Sequence, residues 1–157
     1  MPCKPIAKRC KTEAEAISIG FNLTDFCVNR AARREVYGLG ETTRPPAELE
    51  TGYEYECSTA GMTGPNEPNW DQATVNDGSV VWTRQPISNA SLARTIGAVT
   101  WDGDTLTISD EQEVTTGGEQ QIACIASAGT EGRRFPKATV EFSDGQEREY
   151  SQQIEIT

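Results

Sequence analysis

Histidine is absent from this 157-residue chain. That one gap excludes Ser-His-Asp and Cys-His nucleophilic arrangements, His-ligated metals and any imidazole pH switch. Aromatic residues are scarce at 7%, and apolar residues reach 36% against 24% charged. The core must therefore be economical, although a chain of this length can bury on the order of two-thirds of its unfolded surface. No run of eighteen apolar residues occurs, which excludes a membrane-spanning helix. The opening Met1-Pro2-Cys3-Lys4-Pro5-Ile6-Ala7-Lys8-Arg9 has basic residues but no hydrophobic stretch behind them, unlike a secretory leader. No G-x-x-x-x-G-K phosphate loop is present. These gaps predict a soluble, non-membrane, non-enzymatic protein of one domain or two small ones, with no cofactor.

What charge there is lies unevenly. Residues 1–40 hold seven basic side chains (Lys4, Lys8, Arg9, Lys11, Arg30, Arg33, Arg34) against four acidic ones. The net charge of the whole is −10, so the remainder carries −13. A body this acidic repels duplex phosphates, and no nucleic-acid partner is expected. The contrast allows a basic N-terminal arm to lie on the acidic body of a neighbouring subunit; the plainer reading is a frayed terminus with solvated charges.

The five cysteines, Cys3, Cys10, Cys27, Cys57 and Cys124, cannot all pair within one chain. None is spaced C-x2-C, and without histidine a zinc site is not expected. A nucleophilic thiol would lack an activating base. Cys57 and Cys124 sit on apolar alternations and read as small buried hydrophobes. Cys3 and Cys10 are flanked by proline and lysine and read as exposed, which makes them the candidates for an inter-subunit disulfide.

Along the chain, residues 1–12 have prolines and no periodic pattern, the mark of an extended arm. Thr12-Glu13-Ala14-Glu15 resembles a capping box able to open one helical turn. Ile17, Ile19, Phe21 and Leu23 alternate, predicting a half-buried strand; Asp25 to Tyr37 reads as helix or loop. Gly40 to Pro46 is breaker-rich and reads as a linker. Tyr53, Tyr55 and Cys57 then share one strand face, as do Val80 and Trp82. A Gly/Pro-punctuated loop, 60–70, lies between them, and Asn76-Asp77-Gly78 signals a tight turn. From residue 90 strand signals recur every 8–12 residues, as in a sandwich. The candidates are Thr95 to Trp101, Thr105 to Ile108, an edge strand at Glu111 to Thr115, Gln121 to Ala126, Lys137 to Phe142 and Glu149 to Ile156, with hairpin turns at Asp102-Gly103 and Asp144-Gly145. The fold class is all-β: an immunoglobulin-like β-sandwich formed by the first strand and connector (13–36) and residues 91–157. A small β-module (40–88) is inserted in it, and that module is too small to be stable alone.

Several of these runs resemble phage proteins. Lys11-Thr12-Glu13-Ala14-Glu15-Ala16-Ile17-Ser18-Ile19-Gly20-Phe21-Asn22-Leu23-Thr24-Asp25-Phe26 is similar to the opening of tailed-bacteriophage fibre-tail adaptor proteins, of the neck or collar. Asp102-Gly103-Asp104-Thr105-Leu106, Ala128-Gly129-Thr130-Glu131-Gly132 and Phe142-Ser143-Asp144-Gly145-Gln146-Glu147-Arg148-Glu149 resemble their second half. The middle segment looks like a module of phage tail, fibre and head-surface proteins. It does so through Thr51-Gly52-Tyr53-Glu54-Tyr55-Glu56-Cys57, Glu67-Pro68-Asn69-Trp70 and Asp77-Gly78-Ser79-Val80-Val81-Trp82. The resemblance implies a structural virion protein: a homo-oligomeric ring at the neck or tail, a head-tail connector or tail fibre adaptor, with portal, tail or fibre proteins as partners. The alternative is a capsid-surface decoration or host-glycan-binding protein, since related modules are suspected of glycan contact. For that role the candidate surface-binding aromatics are Tyr53 and Trp70, and both tryptophans of the module equally suit a core. Asp102, Asp104 and Asp144 could be imagined around calcium, but the further oxygen ligands of a calcium loop are missing. Twenty-four acidic residues make a carboxylate pair unremarkable as evidence for glycoside hydrolysis.

Overall fold

The computed structural model describes residues 9–11 and 15–157. It is all-β, with one short helix, and divides into two compact units. The first comprises the described residues up to Leu23 with Arg94–Thr115 and Gln120–Thr157; the second comprises Thr24–Ala93 and Thr116–Glu119. In chain order, β1 (Arg9–Lys11) and β2 (Ile17–Asn22) open unit 1. Unit 2 follows with α1 (Thr24–Cys27), β3 (Val36–Tyr37), β4 (Thr42–Thr43), β5 (Tyr53–Thr59), β6 (Gly61–Met62), β7 (Thr74–Asp77) and β8 (Val80–Pro86). The chain then returns to unit 1 with β9 (Ile96–Asp102), β10 (Thr107–Val114), β11 (Gln121–Ser127), β12 (Gly132–Arg134), β13 (Lys137–Phe142), β14 (Glu147–Ser151) and β15 (Ile154–Ile156).

In unit 1 the alternation of Ile19 and Phe21 does what period two demands: both are buried while their neighbours face water. They stand opposite Cys124 and Ile122 of β11 in the antiparallel sheet β10-β11-β2. A second antiparallel sheet, β14-β13-β9, turns Ala138, Val140 and Phe142 inward opposite Trp101, Val99 and Ile96. The two inner faces meet where the Phe21 ring lies 6.1 Å from Trp101 and 5.7 Å from Tyr150. The expected edge strand at 111–115 is the continuation of β10 rather than a separate element. Asp110 takes φ 49 and lets the strand bulge between Ser109 and Gln112. A bulge and the charges Asp110, Glu111 and Glu113 on an outer strand discourage pairing with stray edges.

The expected last strand, 149–156, is split. Gln152 is buried and its backbone N–H donates to the Pro136 carbonyl, so the chain leaves β14 and restarts as β15. There Ile154 and Ile156 are buried, and β15 pairs antiparallel with β12 and parallel with β1. Arg9–Lys11 is thus the described part of the arm; the capping-box residues 12–14 lie outside the described residues.

Unit 2 is built on the sheet β4-β5-β8-β7. Cys57 faces Trp82, which faces Val75 across the strands, and the Asp77-Gly78 turn joins β7 to β8. The core gathers Tyr55, Cys57, Trp70, Val75, Val80 and Trp82 with Ala31 and Tyr37. The predicted linker at 40–46 contains β4: Thr42 and Thr43 pair with Glu56 and Tyr55, and Thr43 and Arg44 are buried. Its breakers bracket the strand, with Gly40 at φ 83 before it and Pro45-Pro46 after it. Residues 24–36 also belong to this unit, fixed by backbone bonds such as Asn29 N–H to Ser91 O and Ala31 N–H to Arg44 O. Unit 2 spans roughly seventy residues in consequence, a size at which small domains do hold a core.

Two buried polar side chains seal its far loops. Glu54 accepts from the Ser88 backbone N–H and hydroxyl. Arg44, 5% exposed, donates from Nε to Ser91 Oγ and from Nη2 to the Gly118 carbonyl. Asn89 Oδ1 accepts from Gly118 N–H, so both backbone groups of Gly118 are held.

Candidate functional site

The residues carrying the most chemistry per unit volume are the two tryptophan motifs of unit 2. In Glu67-Pro68-Asn69-Trp70 the indole N–H of Trp70 donates back to Glu67 Oε2 at 3.0 Å. In Asp77-Gly78-Ser79-Val80-Val81-Trp82 the indole N–H of Trp82 points to Asp77 Oδ2 at 3.4 Å. Each motif therefore carries its own acceptor for the one polar atom of a buried indole.

Arg33, on the segment before β3, links the two motifs. Its Nη1 donates to Asp77 Oδ1 at 2.6 Å and to the Asn66 carbonyl at 3.1 Å. Its Nε lies 2.9 Å from Glu67 Oε1, an ion pair without the alignment of a hydrogen bond. Asp77 also accepts from Gly64 N–H at 2.8 Å, and its side chain is 1% exposed. Aromatic packing closes the cluster: Tyr37 meets Trp82 edge-on at 4.9 Å, Tyr55 meets Trp70 at 5.0 Å, and the two indoles are 6.2 Å apart. The tyrosine hydroxyls are used as well. Tyr55 donates to the Trp70 carbonyl, and Tyr37 accepts from Ala32 N–H at 2.8 Å. Burial pushes the Tyr37 phenol above its ordinary range. Both carboxylates, Glu67 and Asp77, are engaged by donors of the fold, so the cluster ties the two motifs together.

The expected pair of surface aromatics does not form a face. Trp70 is 3% exposed, enclosed by Tyr55 and Trp82, because a unit this small builds its core from its large indoles. Tyr53 is 40% exposed, but the Arg84 guanidinium sits 4.5 Å over its ring, a cation–π contact that covers one side. Although Tyr53 and Tyr55 are two apart, only Tyr55 and Cys57 are buried, with Glu54 buried beside them.

Of the cysteines, Cys3 lies outside the described residues, and Cys10 lies in β1 opposite Glu155. Cys27, Cys57 and Cys124 are buried thiols. Burial raises the Cys57 thiol, with Glu41 adding to it, and pushes Cys124 up to about 11. Thiols held so far above neutral pH carry almost no thiolate. Iodoacetamide applied to the native chain at pH 8 is expected to leave these three unmodified, and unfolding is expected to expose three further thiols per chain, read by intact mass. Native labelling at Cys124 would contradict this packing.

The aspartates of the turns serve the turns. Asp102 Oδ1 accepts from Asp104 N–H, Asp104 Oδ2 from Phe135 N–H, and Asp144 Oδ1 from Gln146 N–H. The hydrogen bond from Arg94 holds the Asp144 carboxyl below its ordinary value. Among the described residues no group of three or more Cys, Asp or Glu is placed to hold a metal ion.

Each unit carries an open hollow. In unit 1 one of about 370 Å³ lies on the outer side of the sheet β10-β11-β2, where Gly20, Ala123 and Gln112 are register neighbours and Asn22, Gln121 and Val114 form the next lane. In unit 2 one of about 270 Å³ lies between the 3-10 turn Ala47–Leu49 and the loop at Pro68–Asp71. Arg33, Glu54 and Arg44 escaped the sequence reading. The signal that could have found Arg33 is the surplus of paired acids: two indole motifs, each bringing a carboxylate, need a shared cation.

No protein-family model matches the chain, and no curated protein or solved structure is significantly similar to it.

Proposed function

We propose that this chain is a structural component of a tailed-phage virion, one copy in a ring at the neck or tail that joins head-tail parts or anchors fibres. The observation that carries the reading is the pair of motifs Glu67-Pro68-Asn69-Trp70 and Asp77-Gly78-Ser79-Val80-Val81-Trp82, which resemble a module of phage structural proteins. Their chemistry suits a mechanical part. The two indoles and the carboxylates Glu67 and Asp77 are engaged in holding unit 2 together, with Arg33 as the cation they share. Unit 1 we read as an immunoglobulin-like sandwich, on the strength of two antiparallel sheets whose inner faces meet at Phe21, Trp101 and Tyr150. The acidic body limits unspecific association, and attraction is restored where a basic segment meets it.

The decoration or glycan-binding alternative has Tyr53 at the surface but lacks Trp70 as a stacking platform. Gold-labelled antibody against the full chain, applied to purified particles, is expected to mark the head-tail junction or the tail. Label spread over the head would favour decoration and overturn the neck or tail position.

A further inference from the structure

We infer that the hollow of unit 2 between Ala47–Leu49 and Pro68–Asp71 is a docking site for the N-terminal segment Pro2–Lys8 of a second copy of the chain. The inference rests on the homo-oligomer in the reading above and names its contact. The hollow is lined by the polar and acidic side chains Glu48, Glu50, Thr51, Asn69 and Asp71 around Leu49 and Pro68. Leu49 is exposed beside it. Glu50 is taken by Arg30, whereas Glu48 and Asp71 have no ion-pair partner among the described residues. The whole of unit 2 has five arginines and no lysine against eleven acidic side chains. Glu48 and Asp71 are exposed at the hollow and open to a cation from outside the unit.

The chain contains one segment of matching chemistry. Residues 1–11 carry Lys4, Lys8, Arg9 and Lys11 and no acidic side chain. Pro2-Cys3-Lys4-Pro5 is a P-x-x-P run. Lys4 and Lys8 supply the cations that match the Glu48 and Asp71 carboxylates, and Pro5 and Ile6 the apolar atoms that match exposed Leu49. The segment leads directly into β1, whose pairing with β15 fixes its root. Segment and hollow are different surfaces, so the contact is head-to-tail. Contacts of that kind repeat around a ring when the rotation closes. Charge steering at the rim governs capture more than it adds tightness.

The test uses the full-length chain at natural isotopic abundance mixed with the same chain fully ¹⁵N-labelled, coupled by a zero-length carbodiimide and read by peptide mass spectrometry. The expected result is isopeptide links from Lys4 or Lys8 to Glu48 or Asp71 in mixed-isotope pairs. Links confined to same-isotope pairs would place the segment on its own chain and overturn the second copy as occupant. No link to these carboxylates would overturn the site. Two charge-reversed proteins sharpen it: Lys4→Glu with Lys8→Glu, and Glu48→Lys with Asp71→Lys. Each alone is expected to weaken self-association at least about tenfold in sedimentation, and mixing the two is expected to restore it. Equal association of all forms would overturn the contact. These readouts come from purified protein, so they are independent of whether the chain is found on particles; the contact and the virion role can fail separately.

Discussion

Asp77→Ala is expected to destabilise unit 2 by about 3–5 kcal/mol, the usual cost of removing one partner from a buried ion pair. The carboxylate accepts from Arg33, Gly64 N–H and the Trp82 indole, and all three donors lose their acceptor at once. Arg33 becomes a partly buried cation with Glu67 as its remaining acid. The measurement is urea unfolding followed by tryptophan fluorescence. Trp101 belongs to unit 1, so a Trp101→Phe background makes the signal report on Trp70 and Trp82 alone. Arg33→Met combined with Asp77→Leu is expected to recover part of the loss, because no buried arginine is left without its Asp77 partner. Glu67 stays one-third exposed to water, and only the Gly64 N–H and the Trp82 indole lack their acceptor. An unfolding free energy for Asp77→Ala within about 0.5 kcal/mol of the parent, the range of an ordinary surface change, would show that the network does not hold the unit.

Gly78→Ala is the second large effect. Gly78 sits at φ +65, and a Cβ there would lie 2.4 Å from the Met62 carbonyl oxygen, 2.7 Å from Gly64 N and 2.9 Å from the Thr63 carbonyl carbon. All three are backbone atoms, so no side chain can swing aside. The left-handed backbone costs roughly 1–2 kcal/mol for a residue with a Cβ. Displacing packed chain adds about 1–3 kcal/mol. Gly145→Ala is the matched control: its φ is +79 and nothing lies within 4 Å of the new Cβ. That change is expected to show the backbone part alone, about 1–2 kcal/mol. Circular dichroism melts of the two proteins check the difference, and equal losses would mean that the turn is not clamped between Met62 and Gly64.

These two positions also show what was legible in the sequence. Period-two alternation announced β2, β5, β8, β11 and β13, and Asp-Gly marked the turns after residues 77 and 144, because both signals are local. The misses share a cause: the deciding interaction joins residues far apart in the chain. Residues 24–36 show no apolar face, since their place is set by Arg33 and by backbone bonds to 44 and 91. β4 hides between breakers because its pairing partner, β5, is elsewhere. Gln152 looks like an ordinary strand residue until its burial and the bond to Pro136 are seen. Trp70 could have been inside or outside by type, and only the Glu67 acceptor three residues earlier hints at the inside.

Buried thiols, a buried polar cluster shared by two indole motifs and an acidic body with one basic segment are the features the virion proposal has to explain. Mass spectrometry of gradient-purified phage particles from the producing host, with copy number counted against the capsid protein, puts this most directly to the test. The account predicts this chain in the particle band at a fixed number of copies far below that of the capsid protein, as a single ring requires. Recovery only in the soluble lysate, with none in particles, would contradict it; a copy number matching the capsid protein would move the chain from the neck or tail to the head surface.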